Sequence, residues 1–177
     1  MAYRGLNSKN IKIMEDIEMN YHDIKKCDML NGDGLRCVLF LSGCSHHCRE
    51  CHNPETWDNN SGILFDDSAK KEVFEELEKD YIFGLTLSGG DPLNEKNLED
   101  VLSLVKEVRE AFPNKNIWVY TGYTYEQIQS FEPNMDKRRE ILSYCDVLVD
   151  GKFEKDKRDV KYPFAGSTNQ KVIYLKK

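Results

Sequence analysis

The feature that most constrains this chain is a group of three cysteines with the spacing C-x3-C-x2-C. Cys44, Cys48 and Cys51 lie within a stretch of eight residues. They follow directly after residues 37–41, an apolar run with the length and composition of a buried strand. Three cysteines this close together cannot all pair with one another as disulfides, so we interpret them as metal ligands on a loop that follows a strand.

Thiolate sulfur is a soft ligand, and it selects zinc, copper(I) or iron–sulfur clusters over the cations that prefer oxygen. A zinc site would take its fourth ligand from one of the histidines in or beside the loop: His46, His47 or His52. An electron-transfer cluster would need a fourth cysteine from elsewhere in the chain: Cys27, Cys37 or Cys145. A [4Fe–4S] cluster held by three cysteines alone would leave one iron open to a small molecule, as a catalytic zinc keeps one position free. The spacing leaves these three kinds of site open.

The composition limits the class of protein. With 177 residues, the chain is long enough for one domain with a substantial core. Its formal net charge is −6 and its basic residues are scattered, which argues against nucleic acid as a partner. It has no apolar run of about 18 residues for a membrane span, and its N-terminal residues do not have the form of a signal peptide. We therefore expect a cytoplasmic protein whose cysteines are thiols or metal ligands rather than disulfides.

Residues 1–18 are polar and of mixed charge. We expect a flexible N-terminal extension here, because chain termini are commonly disordered. The alternative is a short edge strand over residues 11–14. Residues 19–177 are expected to form the functional domain.

A second informative segment is Ser88-Gly89-Gly90-Asp91-Pro92, which ends the buried run over residues 83–87. Paired glycines at the carboxyl end of a strand leave backbone groups open to a ligand that lies across this edge of the sheet, where α/β folds bind ligands. Asp91 is then placed to accept a hydrogen bond from an ammonium or hydroxyl group. The alternative is a plain turn in which Asp91 caps the next helix.

The periodicity of the apolar residues predicts alternating strands and helices. The predicted strands cover residues 37–41, 83–87, 117–120, 146–150 and 171–175. The predicted helices cover residues 68–79, 98–112 and 136–144, with one more starting at a capping box formed by Thr124 and Gln127. This order indicates an α/β fold with a mainly parallel sheet, in which the loops after the strands meet at one edge. Because a complete eight-stranded barrel typically needs about 250 residues, we expect an open, partial (β/α) barrel.

For three polar side chains beside these motifs, the sequence leaves two environments open. Arg36 follows the glycine-bearing turn Asn31-Gly32-Asp33-Gly34, and we expect it either in solvent or near the site as a counter-charge. His46 and His47, unless they bind zinc, are expected in solvent or behind the metal ligands.

Taken together, the motifs resemble those of the radical S-adenosylmethionine enzymes, in which C-x3-C-x2-C after a strand is followed by a Ser-Gly-Gly-Asp-Pro-Leu segment. A fuller set of segments is similar to the activating proteins of the anaerobic (class III) ribonucleoside-triphosphate reductases. These segments are residues 31–36, 39–44, 51–53, 121–125 and 149–153. The resemblance covers about residues 19–175, and it implies a partial barrel of the radical S-adenosylmethionine type.

The resemblance also implies an activity. Cys44, Cys48 and Cys51 would hold a [4Fe–4S] cluster whose fourth iron chelates S-adenosylmethionine. One electron from the cluster would cleave the cofactor to give a 5′-deoxyadenosyl radical. That radical would install a glycyl radical on the large subunit of the anaerobic reductase, with a flavodoxin or ferredoxin as the electron donor.

Further residues are implied as contacts of S-adenosylmethionine. They are Glu50, Cys51, His52, Gly89, Gly90, Asp91, Thr121 and Gly122. Two positions depart from the pattern of the family. Glu50 stands where many radical S-adenosylmethionine enzymes carry an aromatic residue against the adenine, and His52 stands where the activating proteins frequently carry one. In addition, Ala165 replaces the arginine that often precedes Gly-Ser-Ser-Asn-Gln in the group.

Other functional classes are alternatives to the reductase-activating enzyme. The chain could activate another glycyl radical enzyme, or act on a small molecule, although its length leaves little room for additional substrate-binding segments. The third alternative is a non-catalytic zinc or electron-transfer module. Such a module would leave the Gly-Gly-Asp-Pro segment without a role.

Overall fold

The computed structural model describes residues 19–175, which form a sheet with helices packed against it. The strands are β1 (Asn20–Asp28), β2 (Arg36–Leu41), β3 (Ile63–Leu64), β4 (Gly84–Gly89), β5 (Asn116–Tyr120), β6 (Val147–Asp150) and β7 (Lys171–Tyr174). The helices are α1 (Asp67–Leu77), α2 (Leu98–Ala111), α3 (Tyr125–Gln129) and α4 (Met135–Tyr144). Short 3-10 turns and loops connect these elements.

The strands lie in the order β3-β1-β2-β4-β5-β6-β7, and the sheet does not close on itself. Strands β2, β4, β5 and β6 are parallel neighbours. Leu41 pairs with Gly89, and Tyr120 pairs with Val149, so the carboxyl ends of these strands lie along one edge. The prediction of an α/β fold around an open, mainly parallel sheet is confirmed, with antiparallel strands added on both sides of the parallel centre.

The two faces of the sheet carry different cores, because successive strand residues point to opposite sides. Leu39 and Leu87 belong to the main core, together with buried apolar residues from all four helices. Trp118 and Val149 lie in a smaller cluster with Phe164, which comes from the long connection between β6 and β7. The helices therefore cover one face, and the connection covers part of the other.

Local sequence explains where the helices begin. The side chain of Asp66 accepts a hydrogen bond from the Ala69 N–H at 2.9 Å and caps α1. The predicted capping box is confirmed: Thr124 Oγ1 accepts from the Gln127 N–H at 3.2 Å, and Gln127 Oε1 accepts from the Thr124 N–H at 2.8 Å. Such reciprocal bonds satisfy amide groups that a short helix cannot satisfy within itself.

The sequence does not predict β1, which is antiparallel to both β2 and β3. Its residues are mostly polar, and its pairing with β2 is interrupted by register shifts between Tyr21 and Asp23 and between Lys25 and Asp28. A largely exposed strand with such irregularities lacks the alternation that identifies strands in sequence. The possible edge strand at residues 11–14 lies outside the described residues. No helix in the described part of the chain is long and apolar enough to cross a membrane.

Candidate metal and cofactor site

The cysteine loop, residues 43–53, begins where β2 ends and is fixed at its start by backbone hydrogen bonds. The Gly43 N–H donates to Thr56 O at 2.7 Å, and the Cys44 N–H donates to Trp57 O at 3.0 Å. On the other side, the Asp91 N–H donates to Gly43 O at 2.7 Å. The loop is therefore closed by the turn that follows it and lies directly on the segment after β4.

The pair of glycines after β4 makes this close approach possible. The Gly90 N–H donates to Leu41 O at 2.8 Å. A Cβ atom at position 90 would lie only 2.5 Å from Gly43 O, closer than real Cβ contacts allow. Glycine is therefore required at position 90 because the backbone of the cysteine loop packs directly against it.

A cavity of about 540 Å³ lies beside the loop, at the carboxyl ends of the parallel strands. The predicted residues that line it are Cys44, Cys48, Cys51, His52, Gly89, Gly90, Thr121 and Gly122. Glu50 and Asp91 are not among its lining residues. Three separate connections of the parallel sheet therefore contribute to one space, as expected for strand ends that share an edge.

The cysteines divide into two groups. All six lie among the described residues, and only Cys44, Cys48 and Cys51 line the cavity. Cys37 and Cys145 are buried in the main core between the sheet and the helices. Since no fourth cysteine of the described chain reaches the cavity, the arrangement favours three cysteine ligands over a four-cysteine cluster.

The sulfur atoms lie in an environment that is desolvated but rich in amide donors. Burial raises the pKa of the Cys44 thiol to about 11, while backbone N–H groups of His46 and His47 act in the opposite direction. Burial also raises the pKa of Cys48, against a hydrogen bond from the backbone of Phe153. Metal binding would displace the thiol protons, and the same amide groups would then stabilise thiolate.

The side chains that could bind a metal here fit an iron–sulfur cluster better than a single metal ion. Among residues 19–175, no group of three or more His, Cys, Asp and Glu side chains is arranged to hold one metal ion. A zinc site would require such convergence, whereas a [4Fe–4S] cluster binds each cysteine through a different iron. The histidines named for the zinc alternative have other neighbours: His46 contacts Asp91, His47 packs edge-on against Trp57, and His52 lies beside Phe153.

Asp91 is 1 % exposed, and protein groups occupy its carboxylate. Oδ2 accepts from Thr121 Oγ1 at 3.0 Å and from the Gly122 N–H at 3.2 Å, and it lies 2.6 Å from His46 Nε2. Oδ1 accepts from the Leu93 N–H at 2.8 Å. These four contacts match the number of hydrogen bonds that a carboxylate readily accepts. Oδ2, which takes three of them, has no place for a further donor, and Asp91 does not line the cavity.

His46 is not in solvent, since its side chain is only 8 % exposed. His47, the alternative solvated histidine, is exposed. Sequence alone does not separate the two, because both are polar residues of the same loop. What buries His46 is its contact with Asp91, a residue 45 positions further along the chain.

Several aromatic residues of the cavity are not identified as site residues from the sequence: Phe40, Tyr120, Phe153 and Phe164. Tyr120 donates a hydrogen bond to Phe164 O at 2.8 Å, and burial raises the pKa of its hydroxyl. A signal for Phe40 and Tyr120 exists in hindsight, because strand alternation places them on the face away from the helices. Phe164 comes from an irregular connection and carries no such signal.

Glu50 and His52, the two residues that depart from the family pattern, both contact the segment after β6. Lys155 forms an ion pair with Glu50, and the rings of His52 and Phe153 lie 5.0 Å apart between centroids. Both partners come from a stretch just downstream of Asp150. This stretch therefore closes over one side of the cysteine loop.

Comparison with known proteins agrees with this site. A family model described as a 4Fe-4S single cluster domain matches residues 30–173. An anaerobic ribonucleoside-triphosphate reductase-activating protein of Pasteurella multocida is 44% identical over 158 residues, which is 88% of this chain and 97% of the relative. The protein of the same name from Enterobacteria phage T4 is 46% identical over 154 residues, 87% of this chain and 93% of its own length.

The protein of that name from Escherichia coli (strain K12) is 40% identical over 160 residues, which is 89% of this chain and the whole of the relative. Identity at this level extends over nearly the full length of each relative, so it is not confined to the cysteine motif. This chain belongs to the family of anaerobic ribonucleoside-triphosphate reductase-activating proteins.

Proposed function

We propose that this chain is the activating enzyme of an anaerobic ribonucleoside-triphosphate reductase. In this proposal Cys44, Cys48 and Cys51 hold a [4Fe–4S] cluster, and S-adenosylmethionine binds in the adjoining cavity. The observation that carries the proposal is that these three cysteines, and none of the other three, line a cavity of about 540 Å³ at the carboxyl edge of the sheet. Three ligands leave one iron open for a small molecule.

The chemistry would belong to the bound groups, and the protein would orient and protect them. When bound, a reduced cluster and S-adenosylmethionine supply a 5′-deoxyadenosyl radical that removes a hydrogen atom from a glycine of the target. Gly89, Gly90, Thr121 and Gly122 line the cavity and would hold the methionyl end of the cofactor. They would do so through backbone carbonyl groups, because the N–H groups of Gly90, Thr121 and Gly122 already donate to protein acceptors. Position 50, where many radical S-adenosylmethionine enzymes carry an aromatic residue against the adenine, is a glutamate here. The rings of His52 and Phe153 would provide a stacking surface for the adenine instead.

The fold supports the finer assignment to a partial barrel of the radical S-adenosylmethionine type. All four helices pack on one face of the open sheet, and the cavity lies on the other. Aromatic side chains on that inner face, including Phe40, Tyr120 and Phe164, would limit the access of water to the reacting atoms. Residues 19–177 would then form the radical S-adenosylmethionine domain.

The target we propose is the large subunit of the reductase, whose glycine-bearing segment must reach the cavity. Exposed apolar side chains on the cavity wall support a protein substrate: Met29, Leu30 and Val160 are 69%, 81% and 83% exposed. Exposed apolar side chains grouped at one opening are typical of sites that bind other molecules. A flavodoxin or ferredoxin is proposed as the electron donor.

The experiment is to incubate the anaerobically reconstituted chain with the large reductase subunit, S-adenosylmethionine and a reductant, and to record the electron paramagnetic resonance spectrum. We expect a glycyl radical on the reductase with the wild-type chain and with Cys27→Ala, which changes an exposed cysteine away from the cavity. Cys48→Ala should give no radical. A reductase that stays radical-free with the wild-type chain, while another glycyl radical enzyme is activated, would overturn the choice of target.

A further inference from the structure

The side chain of His46 links the cysteine loop to the strands beside it. His46 lies between Cys44 and Cys48 in sequence, and its Nε2 is 2.6 Å from Asp91 Oδ2. Both side chains are almost fully buried, at 8% and 1% exposed. A carboxylate can only accept, so Nε2 is assigned as the ring nitrogen that carries the hydrogen. The contact is thus a donated hydrogen bond across 45 residues of sequence.

The surroundings of the ring are shaped to hold it in this position. A Cβ atom at Gly122 would lie 2.3 Å from His46 Cδ2, so only glycine leaves room for the ring. The ring of Tyr123 packs edge-on against His46 with centroids 4.7 Å apart. Tyr123 is itself held by Arg138, whose guanidinium lies 4.5 Å from the centre of its ring and donates to its hydroxyl at 3.2 Å.

The carboxylate of Asp91 also joins the segments that follow two neighbouring strands. Asp91 follows β4, and its Oδ2 accepts from Thr121 and Gly122, which follow β5. His46 adds the cysteine loop after β2 to the same oxygen atom. One buried oxygen therefore connects three of the loops that line the cavity.

The cysteine loop needs support from outside because its own backbone is strained. Two of its residues, His47 and Glu50, adopt left-handed conformations with φ of 47° and 55°. Such conformations are unfavourable for non-glycine residues, and they persist where the surroundings enforce them. The Cys51 N–H donates to Cys48 O at 3.1 Å within the loop. A buried bond from His46, which lies between two of the cysteines, is well placed to supply the remaining restraint.

We propose that His46 and Asp91 act as a positioning pair that fixes the cysteine loop against the ends of β4 and β5. Asp91 then acts on the site through His46 rather than by binding the cofactor directly. That the loop holds a [4Fe–4S] cluster rests on the proposed function. That His46 and Asp91 restrain the loop does not depend on it. Loss of the pair should loosen the loop, expose the bound cluster to solvent and shift its reduction potential.

The test uses the full chain, purified anaerobically, with four variants. His46→Ala removes the bond, and His46→Gln keeps an N–H donor of similar reach. Gly122→Ala leaves His46 present but places a methyl group where its ring lies. His47→Asn is the matched control, because it changes the neighbouring exposed histidine to a residue that tolerates the left-handed conformation.

The first measurement is amide hydrogen exchange in the peptide that covers residues 43–53. We expect exchange about tenfold faster in His46→Ala and Gly122→Ala, partial recovery in His46→Gln, and wild-type rates in His47→Asn. The second measurement is the midpoint potential of the bound cluster, which should shift in the same order. Should His46→Ala fail to fold, Gly122→Ala decides the question.

Wild-type exchange in both His46→Ala and Gly122→Ala would overturn the positioning pair, as would equal acceleration in His47→Asn. The outcome for the proposed function is separate. A loop that loosens as expected in a chain that activates no reductase would support the pair and contradict the proposed target.

Discussion

The guanidinium of Arg36 is fully buried and forms no ion pair with a carboxylate of residues 19–175, which is rare for a charged residue. Nε donates to Thr86 Oγ1 at 2.7 Å, and the terminal nitrogens donate to the carbonyl oxygens of Asp33, Leu85 and Asn116 at 2.9, 2.9 and 3.1 Å. Burial lowers the pKa of this guanidinium to about 10, so it stays charged at neutral pH. Arg36 therefore ties the starts of three parallel strands together. It is neither solvated nor a counter-charge in the cavity.

We expect Arg36→Lys to destabilise the protein by roughly 1–3 kcal/mol, because a single ammonium group cannot reproduce the fork of donors and leaves buried carbonyl groups unpaired. Urea denaturation followed by far-UV circular dichroism measures the change. Arg49→Lys, at an exposed position of the cysteine loop, is the matched control and should leave the free energy of unfolding unchanged. Equal stability of the two variants would contradict the structural role of Arg36.

A second residue gives a prediction for pH dependence. Burial raises the pKa of the Cys37 thiol from 9.0 to about 12. Between these values the unfolded chain loses the proton first, so the folded state binds more protons and its stability falls as pH rises. At about pH 10 this effect amounts to roughly 1.4 kcal/mol. The stability contributed by the neutral thiol is thus fully present below the unfolded pKa and is lost above it.

The variant Cys37→Ala removes this titration. We expect the difference in unfolding free energy between the wild-type chain and Cys37→Ala to shrink by roughly 1.4 kcal/mol between about pH 7 and about pH 10. Urea unfolding at both pH values measures it, and the other thiols cancel because both chains contain them. Parallel pH profiles for the two chains would show that Cys37 titrates normally.

Single residues differ in how well sequence predicts their place. The grouping of Cys44, Cys48 and Cys51 around one cavity follows from their spacing, because a loop of eight residues keeps its members together. The burial of Arg36 and His46 depends instead on partners far away in sequence, Thr86 and Asp91. Spacing along the chain carries no information about such contacts.

At the scale of elements, the connection between β6 and β7 is a structural part of the site. Phe153 follows β6, its ring contacts His52, and its backbone donates toward Cys48. Lys155 adds an ion pair with Glu50, although both of these side chains are about half exposed and such pairs contribute little to stability. The ring of Phe153 is therefore the main cover on this side of the cysteine loop.

We expect Phe153→Ala to expose the cluster and to speed its loss in air severalfold, because solvent access governs the stability of such clusters. The decay of the visible absorbance of the cluster measures the rate. Phe131→Ala is the matched control, since Phe131 is fully exposed and does not line the cavity. If both variants lose the cluster at the wild-type rate, Phe153 does not shield it.

The elements themselves follow the sequence where burial imposes a period. Strands β2, β4, β5 and β6 and helices α1, α2 and α4 agree with the predicted segments to within about two residues. Strand β7 was located correctly, yet it runs antiparallel to β6 because the connection from residue 151 to residue 170 contains no crossover helix. Strand β1 cannot be predicted from the sequence, because its residues are mostly polar and its pairing with β2 is irregular.

At the scale of the whole molecule, the parallel centre of the sheet explains why one site exists. Crossover connections through the helices make these neighbouring strands parallel, so the carboxyl ends of β2, β4, β5 and β6 lie along one edge. The helices fill one face, which leaves the other free for a cavity. This arrangement could be predicted from the order of elements alone, whereas the contribution of Phe164 to the cavity could not, because that residue lies in an irregular connection.

The most direct test of the central claim is the electron paramagnetic resonance spectrum of the reconstituted, dithionite-reduced chain with and without S-adenosylmethionine. We expect a reduced [4Fe–4S] signal that changes when S-adenosylmethionine is added and is lost in Cys48→Ala, with Cys27→Ala behaving as the wild-type chain. A signal that S-adenosylmethionine leaves unchanged would contradict an open iron site and indicate electron transfer. Bound zinc without any cluster signal would contradict the cluster itself.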